Sequence, residues 1–318
     1  MLSRTASNLF WMARYAERAE NTARIVHAVI FFNLMRGSIS TVNQLTAPLD
    51  ITGTREMFSK HYDELNMANI LKFFITDMEN PSSIKNAITN VRNNASAVHG
   101  CITDDVWESI NTSSVSLIKA LDTWDGTGYD MIMLRIIEFY HVFLGSVYST
   151  MDRDDSYLFI KAGMSIERSD NTARILDVQY QGNTPMNDGI AKYLYWTGIL
   201  RVLSADDSFK RQYGDQITID NLLDMLVLSP SLPRSLLSSV NELNETMNGI
   251  KSHYGRGAKK LAAELYASLR FSTSDDIIKQ GVDEFLTDFL RKINRVAGEF
   301  SHSITLWFAL FLGESLTN

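Results

Sequence analysis

The chain is 318 residues long and 45% hydrophobic, with a formal net charge of −7 and a single cysteine. That length and apolar share can bury a sizeable core, while the acidic balance and the lack of any Lys/Arg run argue against a nucleic-acid partner. One cysteine, Cys101, builds neither a disulfide framework nor a thiolate metal cluster, and a lone cysteine is more often a small packed hydrophobe than a nucleophile.

Five prolines and 17 glycines are few for this length, which favours long uninterrupted helices. Ser3 is placed to cap a helix running to about Leu34 and ending at Gly37. A less regular stretch over Ser38–Gly53 leads to apolar periodicity at Phe58–Phe74. Asn80-Pro81-Ser82 then punctuates before a helix from Ser82 to about His99. Thr103-Asp104-Asp105 caps Val106–Leu121, Asp122–Gly128 forms a turn, and Tyr129–Met151 reads as a long, mostly apolar helix. Asp154 or Asp155 starts a helix to about Tyr180, before Gly182, and Pro185–Gly189 separates it from one near Ile190–Tyr213. Helices follow at Ile219–Leu228 and Leu232–His253, with breaks at Ser229-Pro230 and Leu232-Pro233. After a loop at Gly255–Gly257 come Ala258–Leu269 and Thr273–Leu312, the latter interrupted near Gly281. No segment has a convincing strand period, so the expected fold is an all-α bundle.

The apolar stretch Leu9–Met12 is cut too early by Arg14, Glu17 and Arg18 to resemble a signal-peptide core. The run Ile304–Leu312 is about half of what spans a bilayer. The expectation is a cytoplasmic protein without a membrane partner.

The most informative feature is a repeat. Glu17-Arg18-Ala19-Glu20-Asn21-Thr22-Ala23-Arg24-Ile25-Val26 returns 150 residues later as Glu167-Arg168-Ser169-Asp170-Asn171-Thr172-Ala173-Arg174-Ile175-Leu176. Duplicated units usually keep their apolar pattern and let polar positions drift, whereas here the carboxylates, Asn and Arg survive. The chain is therefore expected to be one pseudo-duplicated domain, with halves of about 1–151 and 152–318 and two equivalent Glu-Arg motif helices. On a helix, Glu17, Glu20, Asn21 and Arg24 share a face. Ala16, Ala19 and Ala23 form an adjacent small-residue stripe, partly kept as Ser169 and Ala173. Such stripes let helix axes approach, so the two motif helices are expected to pack together, with Glu and Arg of each reaching the other. This pattern suits a buried network that fixes how the halves dock. It also suits a ligand site in which Arg18, Arg24, Arg168 and Arg174 clamp a carboxylate or phosphate.

Two histidines follow a glutamate by three residues, as Glu138/His141 and Glu299/His302. A ferritin-like di-iron or di-manganese site uses two such pairs and one Glu from each of two other helices. Glu17, Glu138/His141, Glu167 and Glu299/His302 supply that set in order. Against it, Arg18, Arg24, Arg168 and Arg174 lie beside the supposed ligands and oppose a divalent cation. A third alternative takes Glu17 or Glu167 as general base in forming or cleaving an amide, although a carboxylate held against arginines is a poor base at neutral pH. Leu232-Pro233-Arg234-Ser235 begins a helix whose free amides are suited to an anion. Trp11, Tyr15, Trp196 and Trp307 read as core or groove wall.

The stretch from Met1 to Arg24, with Asn80-Pro81-Ser82-Ser83-Ile84, Val106-Trp107-Glu108-Ser109-Ile110-Asn111 and Leu232-Pro233-Arg234-Ser235, resembles the bacterial alpha-E family. The resemblance covers essentially the whole chain, and the second Glu-Arg motif falls where that family has one. It implies an all-helical protein encoded beside, or fused to, circularly permuted ATP-grasp ligases, with transglutaminase-like peptidases nearby. The implied role is that of a partner in a peptide-forming or peptide-modifying system. The paired motifs (Glu17, Arg18, Glu20, Asn21, Arg24 and Glu167, Arg168, Asp170, Asn171, Arg174) would then line a cleft for the ligase, a peptide or an acidic small molecule. The resemblance assigns no catalytic residue and no cofactor.

Overall fold

The computed structural model describes the backbone of residues 3–34, 41–180, 189–251 and 255–313, with the side chains of 31–34, 41–44, 179–180, 189, 191 and 305–313 outside that description. Fifteen α-helices and one 3₁₀ turn make up the described secondary structure, which contains no strand. In chain order the first seven helices are α1 (Ser3–Leu34), α2 (Thr41–Thr52), α3 (Arg55–His61), α4 (Met67–Ile75), α5 (Ile84–Ala97), α6 (Asp104–Asp122) and α7 (Tyr129–Thr150). They are followed by α8 (Asp155–Tyr180), α9 (Gly189–Val202), α10 (Asp206–Tyr213), α11 (Ile219–Leu226), α12 (Leu236–Gly249), α13 (Arg256–Arg270), α14 (Ser274–Gln280) and α15 (Val282–Gly313).

Capping chemistry sets several starts. Ser83, Thr103 and Ser235 each accept a bond from the backbone N–H three residues on, opening α5, α6 and α12. Asp154 does the same for α8 through the amides of Ser156 and Tyr157 at 2.9 and 3.2 Å. These side chains satisfy donors that a helix start leaves unpaired.

Four expectations require correction. Ser3 does not cap α1, because its hydroxyl donates to the Ile304 carbonyl and ties α1 to α15. The stretch expected to be irregular contains α2, with Pro48 inside it; burial of Leu45 and Leu49 holds this helix where local propensity argues against it. The apolar span 58–74 is two helices, α3 and α4. The helix expected over 190–213 is likewise two, because Ser204 adopts φ +54 and the Ala205 N–H reaches back to the Leu200 carbonyl at 2.7 Å, a left-handed stop usually signalled by Gly. The break at Gly281 (φ +97) is where the sequence places it. Gly37, Gly182, Pro185 and His253 lie outside the described residues.

At the centre α1 packs on α8. The two helices meet most closely at Gly163, where an added Cβ would lie 2.4 Å from the Phe10 carbonyl oxygen and 3.1 Å from the Ala13 Cβ. Ala13, Ala16, Ala19, Ala23, Ser169 and Ala173 are all fully buried, so a small-residue seam runs along this contact. Around it the packing is parallel in the two halves: α1 is flanked by α5 and α7, and α8 by α12 and α15, while α6 bridges α5 and α7 as α13 bridges α12 and α15. Thr22 donates to the Ser82 carbonyl at 3.2 Å, and Thr172 to the Arg234 carbonyl at 3.0 Å. The buried positions Met133, Ile136, Tyr140, Phe143 and Val147 of α7 recur at the same spacing on α15 as Leu286, Phe289, Ile293, Val296 and Phe300.

α7 is the described helix whose length and hydropathy would suffice to cross a bilayer. It packs on α1 and α6, however, and carries Arg135, Glu138 and His141 on its outer side.

Candidate functional site

The two Glu-Arg dipeptides meet across the α1–α8 seam and exchange partners. Arg18 donates to Glu167 from Nε at 2.5 Å and from Nη2 at 3.0 Å. Reciprocally, Arg168 donates to Glu17 from Nε at 3.2 Å and from Nη2 at 3.0 Å. Each pairing is two-pronged, the geometry in which a planar guanidinium matches a carboxylate best.

The surroundings of the two copies differ. Glu167 takes its further bond from Arg14, at 2.7 Å, and Arg14 and Arg18 also lie over the rings of Trp11 and Tyr15. Glu17, fully buried, accepts a bond from the Tyr140 hydroxyl and lies 3.4 Å from Arg234. Arg234, from the turn before α12, bonds Glu20 through Nη2 and Asn21 Oδ1 through Nη1 at 2.8 Å. Glu20 also pairs with Arg24. In the second copy, Ser82 and Ile293 occupy the places of Arg234 and Tyr140. Asp170 there pairs with Arg174 at 2.7 Å and accepts from Asn294 at 3.0 Å, while Asn171 is half-buried.

Above the Glu17 copy lies a cleft of about 480 Å³. Its floor is Arg168, Arg234 and Glu20; one wall is α7 through Tyr140, His141, Leu144 and Tyr148; the other is α12 through Ser238, Asn241, Glu242 and Glu245. Lys161 closes one end and Arg24 and Ser204 the other. Glu242 joins wall to floor, bonded to Lys161 at 2.9 Å, Tyr148 at 3.1 Å and Ser165 at 3.1 Å, and 3.5 Å from Arg168.

Ionisation follows from these contacts. Burial pushes the Glu167 carboxyl up, but Arg18 and Arg14 outweigh it and hold the group at about 2. Glu20 and Glu242 are likewise lowered: burial opposes the shift, and Arg234 and Arg24 prevail at Glu20, Arg168 and Lys161 at Glu242. Burial and then Glu17 raise the Tyr140 hydroxyl well above its ordinary value. Burial and Glu242 raise Tyr148. Arg168 and Arg234 stay cationic because the carboxylates overcome their own desolvation. General acids and bases work best with a pKa near the operating pH. Each of these groups is displaced away from it.

The Glu and Glu-x-x-His set does not assemble. Glu138, His141, Glu299 and His302 are exposed, Glu17 and Glu167 are engaged by arginines, and Glu299 rests against Gly257 at the start of α13. Among the described residues no three His, Cys, Asp or Glu side chains converge as metal ligands. The residues present do not fit a di-iron or di-manganese centre, and His141 belongs to the cleft wall instead. Cys101, expected to be packed, is exposed. The Leu232–Ser235 segment contributes the Arg234 side chain, while the first amides of α12 are partly used: Leu237 N–H bonds the Val227 carbonyl and Ser238 N–H the Ser235 hydroxyl.

A family model described as a predicted alpha-helical domain with a conserved ER motif matches residues 1–303. This chain belongs to the Alpha-E family. Its Glu-Arg dipeptides are Glu17-Arg18 and Glu167-Arg168, the residues that exchange partners across the seam. No curated protein and no solved structure matches this Alpha-E chain.

Motif spacing alone did not single out Arg14, Tyr140, Lys161, Arg234 and Glu242 as parts of this arrangement. Arg14 lies one helical turn before Arg18, and Tyr140 directly precedes His141. Arg234 sits in a segment notable for its Pro break. Lys161 and Glu242 carry no local signal, since their role arises only where α8 and α12 pack.

Proposed function

We propose that this Alpha-E protein is a cytoplasmic binding component of an ATP-grasp amide-ligase system, the helical partner that holds the ligase or its peptide substrate in the cleft over the Glu17 copy. The observation that carries this reading is the cleft floor, where Arg168 is fixed by two-pronged pairing with Glu17, and Arg234 by Glu20 and Asn21, so that these groups keep their charge at neutral pH. Such a floor recognises polar groups and moves no protons, which favours binding over acid–base chemistry. The ligase as partner rests on the family resemblance.

The test is isothermal titration calorimetry between this protein and the circularly permuted ATP-grasp ligase expected beside it, with Ser238→Arg as a variant that fills the cleft. Association of the wild type, weakened at least tenfold in the variant, is expected. No association of the wild type at micromolar concentration would remove the proposal.

A further inference from the structure

The cleft has direction. Along α7 it is lined at Tyr140, His141, Leu144 and Tyr148, and along the turn before α12 and α12 itself at Arg234, Ser238, Asn241, Glu242 and Glu245. Tyr140 and Arg234 both reach Glu17 at one end, whereas Tyr148 bonds Glu242 at the other. The two walls therefore run side by side in the same direction. Charge is sorted along them. At the first end Arg24, Arg168 and Arg234 surround Glu17 and Glu20, three cations on two anions. At the second, Glu242 pairs with Lys161, the exposed Glu245 lies beyond it, and Arg168 reaches across to Glu242 at 3.5 Å; with that guanidinium shared between the ends, the first keeps the cationic excess and the second the anionic one.

Past Arg24 the cationic end continues into a smaller hollow of about 120 Å³ lined by His27, Arg201, Ile137 and Val202, with no carboxylate in its lining. Outside it, Asp130 lies 3.8 Å from the His27 Nε2, and Asp206 pairs with Arg201 at 3.3 Å. Beside Arg234, the buried Asn21 directs its Oδ1 to the guanidinium and keeps an Nδ2 donor with no protein partner. Arg234 fixes this amide orientation, because a flipped amide would set NH₂ against a cation.

From Ile137 to Tyr148 is eleven residues of α7, roughly 16 Å of helix at about 1.5 Å per residue. An extended chain rises about 3.3 Å per residue, so that length holds about five residues. A free amino acid is too short to touch both ends.

We infer that the cleft takes a short peptide of about five residues in extended form, its free α-ammonium at Glu242 and Glu245 and its α-carboxylate at Arg24 and Arg234. The inference deepens the binding role proposed above and rests on it. Asn241 and Ser238, spaced along the α12 wall, supply hydrogen-bonding side chains opposite the peptide backbone, and Leu144 and Tyr148 supply apolar surface.

The experiment is calorimetric titration of the isolated protein with the pentapeptide Ala-Ser-Ala-Ser-Ala, its N-acetylated form, its C-terminal amide and the dipeptide Ala-Ala. The free pentapeptide is expected to bind. Blocking either terminus is expected to weaken it at least tenfold, and the dipeptide to be weaker still. Glu245→Lys changes an exposed rim residue and leaves the thermal melt unchanged; it is expected to weaken the free pentapeptide at least fivefold while leaving the acetylated form unaltered. Equal binding of free and blocked peptides, or no binding of the free peptide at millimolar concentration, overturns the inference. Ligase association that persists when no peptide binds removes this inference alone, whereas loss of ligase association with peptide binding intact removes only the ligase partnership.

Discussion

Glu17 and Glu167 are the same residue of a repeated motif, yet their neighbours make them different groups. Glu167 relies on Arg14 and Arg18, and Glu17 on Arg168, Tyr140 and Arg234. Removing one partner of a buried ion pair leaves the other charge uncompensated, at a cost of about 3–5 kcal/mol. Arg168→Met is therefore expected to lower stability by up to about that amount in urea denaturation, since it strips Glu17, Tyr140 and Glu242 of a shared donor and leaves Glu17 only the Tyr140 hydroxyl and the more distant Arg234. Arg18→Met is expected to cost less, because Arg14 still holds Glu167 at 2.7 Å. Acid exposes the same chemistry. The Glu167 carboxyl is held at about 2 when folded, against an ordinary 4.5. A depressed folded-state pKa means that the unfolded chain binds the proton first. Its stabilisation is complete above about pH 4.5 and is lost as pH falls toward 2. Integrated over that window it amounts to roughly 3 kcal/mol, with Glu20 and Glu242 shifted in the same direction. Unfolding followed by circular dichroism between pH 5 and 2 should show stability falling through this range, and a flat profile would contradict the assignment.

At the scale of elements, close approach of α1 and α8 depends on missing side-chain atoms. Gly163→Ala places a methyl 2.4 Å from the Phe10 carbonyl oxygen, a backbone atom that cannot move aside cheaply. The expected loss is about 1–3 kcal/mol or more, as for overpacked cores. Gly145→Ala, on the exposed side of α7 with nothing near the new methyl, should instead stabilise by about 0.5–1 kcal/mol through helix propensity. Paired denaturation curves for the two variants would check both signs. Helix positions were readable where chemistry is local: Thr103 before α6, Asp154 before α8 and Gly281 between α14 and α15 all announce themselves. They were not readable where tertiary packing decides. α2 contains a proline yet is held by Leu45 and Leu49, and α9 ends at a serine in the conformation usually reserved for glycine. The candidate site divides the same way. The motif repeat pointed to the reciprocal Glu–Arg exchange, because identical polar residues at matched positions have a reason to meet. The Glu-x-x-His spacing misled, because spacing on one helix does not say which face turns inward, and Glu138 and His141 turn outward with Glu299 and His302. Lys161 and Glu242 became visible only when α8 and α12 were placed side by side.

At the scale of the whole molecule, like helices surround like motif helices, but the cleft belongs to one side. Arg234 and Tyr140 replace what are Ser82 and Ile293 on the other side, and they turn one copy of the motif into the floor of a cleft with charged ends. The proposed binding role therefore predicts that the two copies are unequal in function although similar in structure. Arg24 lines the cleft; its counterpart Arg174 pairs with Asp170 away from it. The most direct test compares Arg24→Glu with Arg174→Glu for association with the ATP-grasp ligase by calorimetry, with circular dichroism confirming that both variants fold. Loss of at least tenfold in affinity for Arg24→Glu, with Arg174→Glu close to wild type, is the predicted result. Equal retention of binding by both folded variants would contradict a cleft-centred role.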